Sequence, residues 1–273
     1  MAIEDKVREG LPLDDVLVVD AHAHLGAYSE GRMYIPTPDE DTMVRLMDRM
    51  GVDVACISSL EAMSDFRTGN ERTARAVRKY PDRLVGLAVV NPHYPEEVGP
   101  ELERCFEELG MKGIKIHPTC NDYPVDGKGY EEVWRFASER GAFVLSHTWQ
   151  GSSTCGPKMF ASVAEKYPDL PIILGHSGGN PKGYEEAIEV AKDHPNLYLD
   201  LCGSLITGAW VERIVEAVGA DRVLYGTDFP FIDPFYEFGK VCFAGIDEEE
   251  KKKKKKILGL NMAEILRRAG WER

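Results

Sequence analysis

Short apolar runs rich in valine, isoleucine and leucine alternate along the chain with longer stretches that are apolar on one helical face. Eight such runs occur, and several are apolar almost without a break, as is typical of parallel strands covered on both faces. The runs are Val16–Asp20, Val52–Ser58, Leu84–Val90, Gly113–His117, Phe143–His147, Ile172–His176, Leu197–Leu201 and Val223–Asp228. Eight strands that alternate with helices favour a closed barrel over an open doubly wound sheet. We therefore predict a single α/β domain over residues 1–273 with the (β/α)8, or TIM, barrel fold.

Polar positions and glycines mark where helices begin and end. Thr37–Glu40 combines a capping-box start with proline at the first helical position, and Gly51 is placed to end that helix. The segment Gly26–Pro38, rich in glycine, proline and tyrosine, follows the first strand directly, and in a barrel it would cover the catalytic face as a lid. The run Glu248–Lys256, three glutamates and then six lysines, predicts a solvated helix start.

Composition and charge exclude several classes of partner. The chain has 273 residues, 43% of them hydrophobic, with a formal net charge of −13 and a pI near 5.1. Nucleic acid and anionic membranes require a basic face, so neither is expected as a partner. The N-terminal segment lacks the apolar core of a signal peptide, and no apolar stretch approaches the roughly 18 residues of a membrane span. The six cysteines show no CxxC spacing and are expected to be reduced thiols in the cytoplasm. A small-molecule substrate is the expected partner, and assembly as a homodimer stays open.

Histidines and an aspartate stand at the ends of four predicted strands. His22 and His24 are alternate residues at the end of the first strand, so their side chains point to the same face and can reach one metal ion. His147 closes the fifth strand, His176 the sixth and Asp228 the eighth. The carboxyl ends of barrel strands are where active sites form, and core packing does not explain why four of the seven histidines gather there. The sequence therefore predicts a metal site at the C-terminal ends of the strands.

The phrases around these residues resemble one family. The HxH pair on the first strand, the histidines that end strands five and six and the aspartate that ends strand eight are similar to the amidohydrolase superfamily. The phrases Gly113–Pro118, Gly175–Gly179 and Gly226–Pro230 resemble its amidohydrolase-2 branch, which includes aminocarboxymuconate-semialdehyde decarboxylase, related aromatic-acid decarboxylases, and lactone and amide hydrolases. The resemblance runs from Val16 to the segment Asn261–Ala263, which is nearly the whole chain.

The resemblance implies a site with one divalent metal ion. It implies a ligand set of His22, His24, His147 and Asp228. Zinc is the ion that nitrogen and oxygen ligands with an open position hold by default, with manganese, iron, cobalt and nickel as alternatives. Asp228 would also carry a proton. The histidine that matches His176 acts as a base or electrophile near the metal in mononuclear relatives, so both residues are assigned catalytic roles.

Four further residues are assigned to substrate binding. Lys115 and His117 are alternate residues of the fourth strand, so both can point into the barrel mouth. Trp149, two residues beyond the fifth strand, is a candidate pocket wall. Arg32, in the predicted lid, is a candidate partner for a substrate carboxylate.

Two alternatives concern the surroundings of the metal. Superfamily members with two metals use a carboxylated lysine on the fourth strand, so Lys115 leaves a binuclear site open. Asp200 and Cys202, near the end of the seventh strand, are candidates for contacts behind the ligands.

Two reactions suit these residues, and hydrolysis is favoured. Metal-activated water would attack a small amide, lactone or related carbonyl compound, with Asp228 passing the proton and His176 stabilising the oxyanion. The alternative is non-oxidative decarboxylation of a small unsaturated or aromatic acid. Arg32 would then supply a cationic clamp, Trp149 an aromatic wall, and His176 or Asp228 the proton. Decarboxylase relatives tend to be longer, so the short chain favours hydrolysis. A metal-binding scaffold is disfavoured, because an open metal position beside an acid is wasted on binding alone.

Overall fold

The computed structural model of the chain describes residues 2–27, 38–203, 205–246 and 251–272. Eight strands in these ranges are parallel and lie in consecutive order in one sheet. They are Val19–Leu25 (β1), Val54–Ser59 (β2), Leu84–Val89 (β3), Gly113–Ile116 (β4), Val144–His147 (β5), Ile172–Gly175 (β6), Leu197–Asp200 (β7) and Val223–Leu224 (β8). Each predicted apolar run overlaps one strand, and the predicted α/β barrel is confirmed.

The last strand is short, and the chain that follows it closes the barrel against β1. β8 keeps two residues of the predicted run, because the chain turns away after Leu224 and Asp228 adopts a left-handed backbone with a φ of 55°. Ala21 N donates a hydrogen bond to Tyr225 O at 3.0 Å, and Asp228 N donates one to His22 O at 2.7 Å. Closure therefore brings the end of β1 and the loop after β8 into direct contact.

Helices occupy the connections between the strands. They are Ile3–Arg8 (α1), Glu40–Met50 (α2), Phe66–Lys79 (α3), Pro95–Glu107 (α4), Pro118–Asn121 (α5), Glu131–Glu139 (α6), Phe160–Lys166 (α7), Pro181–Asp193 (α8), Gly208–Val218 (α9), Pro234–Cys242 (α10), Lys251–Lys255 (α11) and Asn261–Arg268 (α12). α2 begins two residues later than predicted, because the Asp39 carboxylate accepts the Thr42 N–H at 2.8 Å and caps the helix there. Gly51, at a φ of 77°, ends it as predicted. In the parts of the chain that are described, every helix is too short or too polar to cross a membrane.

Apolar side chains form one layer inside the barrel and a larger layer between the strands and the helices. Ala21 of β1 belongs to the inner layer, whereas His22 and His24 line the cavity at the strand ends. The pairing of β1 with β2 shifts register between Asp20 and Ala23, and an irregularity of this kind re-aims the side chains that follow it. The shift therefore accompanies the turn of both histidines into the barrel mouth.

Two of the predicted segments lie partly outside the described residues. Most of the predicted lid does so, including Arg32, and so do the three glutamates at 248–250. The lysines that follow form α11, and one of them differs from the prediction of a solvated helix. Lys254 is buried, where it pairs with Glu4 and donates to Cys242 O at 2.9 Å. One lysine of the run therefore takes part in packing.

Candidate metal centre and substrate cavity

Three of the predicted ligands converge at the C-terminal ends of the strands. His22 and His24 come from β1, and Asp228 comes from the loop after β8. Asp228 Oδ1 lies 3.6 Å from His22 Nε2 and 3.4 Å from His24 Nε2, and donor atoms of all three residues lie within 4.8 Å of one another. Two imidazole nitrogens and a carboxylate oxygen at this spacing match the donors of a catalytic divalent ion. The residues present therefore fit the metal that the sequence predicts.

A buried hydrogen bond determines which nitrogen of His22 faces the other ligands. His22 Nδ1 lies 2.7 Å from Asp200 Oδ2. Burial lowers the pKa of the His22 imidazole to about 3. Burial alone would raise the pKa of Asp200, but the hydrogen bond from His22 outweighs it and lowers that pKa to about 2. A neutral imidazole beside an ionised carboxylate carries its proton on Nδ1, so Nε2 offers its lone pair to a metal ion. His24 is oriented in a similar way, because Ser58 Oγ lies 3.0 Å from its Nδ1.

Replacing Asp200 with asparagine is expected to weaken binding of a divalent ion about 10- to 100-fold, the usual effect of removing a partner behind a histidine ligand. The neutral amide no longer holds the His22 proton on Nδ1, so Nε2 becomes a poorer ligand. A competition titration against a chelator measures the affinity. Glu101→Gln is the control, because Glu101 is an equally buried carboxylate that Asn70 and Arg104 hold on α4. Equal affinities in the two variants would contradict this role of Asp200.

The backbone of the site adopts a conformation that side chains rarely permit. The φ angle is 55° at Asp228, 63° at His176 and 47° at Ser177. Left-handed residues other than glycine carry strain that the surrounding structure must maintain. Asp20 supplies part of that support, since its carboxylate accepts hydrogen bonds from Thr227 N at 3.0 Å and from Thr227 Oγ1 at 2.6 Å. Burial raises the pKa of Asp20 to about 7. The position of Asp228 thus depends on contacts between β1 and the loop after β8.

His147 lies in the same cavity but outside this group of donor atoms. Its ring is stacked on that of His117 with centroids 4.0 Å apart, and its centroid lies 4.8 Å from that of His176. Burial lowers the pKa of both His117 and His147 well below the usual histidine range, so both rings are neutral. Among the described residues, the groups of donors close enough to share an ion do not include His147. Its role as a fourth ligand stays a prediction.

His176 stands beside the ligands, where it contacts the thiol of Cys202. The ring centroid of His176 lies 5.1 Å from that of His22, and His176 Nδ1 lies 3.2 Å from Cys202 Sγ. Burial lowers the pKa of His176, and the negative charge of Asp228 opposes this effect. Burial raises the pKa of Cys202 well above the usual thiol range, so the thiol keeps its proton and donates to Asp200 Oδ2 at 2.8 Å. Cys202, His22 and His176 form a second group of close donors, but His22 Nδ1 is already bonded to Asp200.

A cavity of about 430 Å³ opens above these residues. Its apolar and aromatic walls are Leu60, Met63, Trp149, Phe231 and Ile232. Lys115, His117 and His176 line it as well, and among the described lining residues Lys115 is the only lysine or arginine. Its Nζ lies 2.7 Å from His22 Nε2, so a metal ion that bound this nitrogen would replace the hydrogen bond, and burial lowers the pKa of this lysine. The cavity therefore offers flat apolar surfaces and one cation close to the candidate metal ligands, whereas Arg32 lies outside the described residues.

Three residues that support the site were not identified from the sequence. Asp20 precedes His22 by two positions and could have been found from strand alternation. Ser58 could not, because its contact depends on the pairing of His24 with Ser58 across β1 and β2. Gly226 allows a close approach, since a Cβ there would lie 2.3 Å from an oxygen of Asp200. The sequence did single out this glycine, because it begins the phrase Gly226–Pro230 that resembles the family.

The chain is similar to a known protein family and to several characterised enzymes. A family model described as Amidohydrolase matches residues 19–268. The gamma-resorcylate decarboxylase of Polaromonas sp. (strain JS666) is 28% identical over 252 residues, which cover 70% of this chain and 77% of that protein. The 2-amino-3-carboxymuconate-6-semialdehyde decarboxylase of Dictyostelium discoideum is 24% identical over 243 residues, which cover 71% of this chain and 67% of that protein.

A solved structure is similar over nearly its full length. It is that of a dihydroxybenzoic acid decarboxylase from Polaromonas sp. JS666 with bound manganese and the inhibitor 2-nitroresorcinol. The match has a TM-score of 0.72 at 21% identity, and it covers 92% of this chain and 97% of that one. At this level of identity the likeness shows the shared barrel fold.

Proposed function

Because the chain belongs to the amidohydrolase family, we propose that it is a metal-dependent, non-oxidative decarboxylase of a small aromatic or unsaturated carboxylic acid. The observation that carries the proposal is the activity of the two curated relatives, which align with 70% and 71% of the chain and are both decarboxylases. The cavity suits such substrates, since its walls are apolar and aromatic and Lys115 supplies a cation.

The hydrolase predicted from the sequence is wrong, because both curated relatives are decarboxylases. A metal ion, an aspartate and a nearby histidine serve both reactions, so these residue types favour neither. Chain length was misleading as well. This chain aligns with 77% of the Polaromonas gamma-resorcylate decarboxylase and covers 97% of the solved decarboxylase, so a shorter chain retains the decarboxylase barrel.

The metal is proposed to bind to His22, His24 and Asp228, with His147 as the predicted fourth ligand. When bound, a divalent ion supplies a Lewis acid that anchors an anionic substrate and stabilises negative charge. We favour manganese over the zinc expected from the sequence. Imidazole and carboxylate donors accept either ion, and the Polaromonas structure contains manganese. With one ion per chain, Lys115 is not needed as a metal ligand and can bind the substrate.

Lys115 is proposed to bind the substrate carboxylate. It is 1% exposed, and its Nζ lies beside His22 Nε2, so an acid drawn to the lysine also approaches the metal ligands. Few water molecules compete with a buried cation, which strengthens its attraction for an anion. The aromatic ring of the substrate would then pack against Trp149 and Phe231, two of the cavity walls, and exclude water from the reacting carbon.

His176 is proposed as the proton donor. Burial alone would raise the pKa of Asp228, but the neighbouring histidines, His176 foremost, hold it below the usual carboxyl range, so Asp228 stays ionised. An anionic substrate beside His176 favours its protonated form. The imidazolium gives its proton to the carbon that bears the carboxylate. The bond between that carbon and the carboxylate then breaks, its electron pair returns to the conjugated system, and carbon dioxide leaves. His176 recovers a proton from solvent.

Labelled solvents test this reaction directly. The metal-loaded protein is incubated in D2O with gamma-resorcylate or with 2-amino-3-carboxymuconate-6-semialdehyde. We expect one equivalent of carbon dioxide from at least one acid, with one solvent deuterium at the vacated carbon. A parallel panel of small lactones and amides in ¹⁸O-labelled water should give no labelled product. Absence of carbon dioxide from both acids, together with solvent oxygen in a lactone or amide product, would overturn the proposal.

A further inference from the structure

A buried ion pair connects α10 to the loop that follows β7. Lys240 and Glu237 lie one helical turn apart on α10, form an ion pair, and are 6% and 1% exposed. Lys240 Nζ donates hydrogen bonds to Leu201 O at 3.0 Å and to Gly203 O at 2.9 Å. Gly203 N in turn donates to Glu237 Oε2 at 3.3 Å. The two side chains therefore hold the backbone on both sides of Cys202.

This pair is an unfavourable way to attach a helix to a barrel. Two ionisable groups lose their hydration, and burial raises the pKa of Glu237 to about 8 although Lys240 opposes this effect. An apolar pair of similar volume often gives equal or greater stability. Glu237 Oε1 adds to the cost, because it has no hydrogen-bond partner within the described residues. Stability alone therefore does not account for the pair. The pair does, however, fix the positions of the Leu201 and Gly203 carbonyl groups.

The loop that the pair holds carries the residue that contacts His176. Cys202 lies between the two carbonyls, and its Sγ is 3.2 Å from His176 Nδ1. The same sulfur donates to Asp200 Oδ2, and that carboxylate accepts the His176 backbone N–H at 3.3 Å. A displacement of this loop would therefore move the Cys202 thiol, which contacts the His176 imidazole.

We infer that Lys240 and Glu237 are positioning residues, which orient the His176 imidazole by holding the two carbonyls that flank Cys202. The inference rests on the proposed function in one respect, namely that His176 is the proton donor. The pair does not touch the substrate cavity, since neither residue lines it. It acts through the loop Leu201–Gly203, in which Cys202 contacts His176 and Gly203 lines the cavity, so its main effect falls on the chemical step.

Lys254 provides a matched control for Lys240. It is a second buried lysine, 3% exposed, which pairs with Glu4 and donates to Cys242 O at the end of the same helix. Replacing Lys254 with methionine removes the charge of an equally buried lysine, whose partner Glu4 is partly exposed, without touching the Leu201–Gly203 backbone. Lys240→Met is expected to lower the Tm, because it removes the ion-pair partner of the buried Glu237. Lys254→Met is expected to lower the Tm less, because the Glu4 side chain is 35% exposed and can be hydrated.

The kinetic test compares these two variants with a double variant. Lys240→Met is expected to lower kcat about 10- to 100-fold, as small misplacements of a reacting group do, with a much smaller change in KM. Lys254→Met should keep both constants. The double variant Glu237→Met/Lys240→Met removes both charges, and its Tm should recover while kcat stays low. Recovery of kcat together with the Tm would show a merely structural role and overturn the inference.

A spectroscopic measurement tests the inference without any turnover. In metal-loaded protein labelled with ¹⁵N in histidine, Lys240→Met is expected to shift the His176 Nδ1 resonance, and Lys254→Met is expected to leave it in place. An unmoved resonance in Lys240→Met would overturn the inference. If the wild-type protein released no carbon dioxide, the proposed function would fail, while this shift would still report on the positioning of His176.

Discussion

Replacing Asp228 with asparagine is expected to lower kcat/KM by about 10²-fold or more, the range in which loss of a group that controls proton transfer falls. Asp228 stays ionised between His22 and His24, where it completes the donor set and supplies the charge that favours protonated His176. Asparagine keeps the size of the side chain and tolerates the left-handed backbone at this position. The fold should therefore persist, and the loss should be chemical.

Steady-state kinetics, the Tm and the metal content of the variant distinguish these effects. Asp122→Asn is the matched control, because Asp122 also has a left-handed backbone, with a φ of 47°, but ends α5 outside the cavity lining. It should retain full activity. Turnover near the wild-type rate in Asp228→Asn, with the ion still bound, would refute the role assigned to Asp228.

Replacing His176 with glutamine is expected to lower kcat about 10²- to 10⁴-fold, the usual contribution of a positioned general acid. Glutamine can form hydrogen bonds, but it cannot hold the proton that the substrate carbon receives. His176 stands outside the close group formed by His22, His24 and Asp228, so the metal content of the variant should remain that of the wild type.

The exchange of hydrogen between the reaction product and D2O gives an independent measurement, since it requires the same proton transfer in reverse. It should fall in parallel with kcat in His176→Gln. His194→Gln is the control, because His194 bonds to Val190 O at the end of α8 and lies outside the cavity lining. Loss of metal together with activity would instead make His176 a ligand and contradict its role as the proton donor.

The fold and the convergence of the site could be predicted because both follow from periodic patterns. Parallel strands end on one side of a barrel, so residues that end strands must meet there. The contact of His24 with Ser58 could not be predicted, because it depends on the register between β1 and β2. Lys240 and Glu237 were not identified either. On a helix of unknown orientation, an acid three residues before a base is usually a solvent-exposed pair.

The reaction was the part of the prediction that failed, and the reason is chemical. The ligand set of His22, His24 and Asp228 indicates a divalent metal ion. Such an ion with a neighbouring acid can activate water or anchor a carboxylate equally well. The choice between the two reactions depends on the substrate that the cavity accepts, and the walls that bear on this choice include Trp149, Phe231 and Ile232. Their arrangement depends on loops whose course the sequence pattern does not give.

The closure of the barrel between β1 and the loop after β8 has a consequence for how the protein matures. The hydrogen bonds between Asp20 and Thr227 join positions that are 207 residues apart. A growing chain on the ribosome thus exposes His22 and His24 long before Asp228 is synthesised. The complete donor set comes into existence only when the last strand docks, so an unfinished chain cannot retain the ion tightly. Because a ligand that binds only the native state stabilises it, an ion held by His22, His24 and Asp228 would stabilise the closed barrel where its first strand meets the loop after its last.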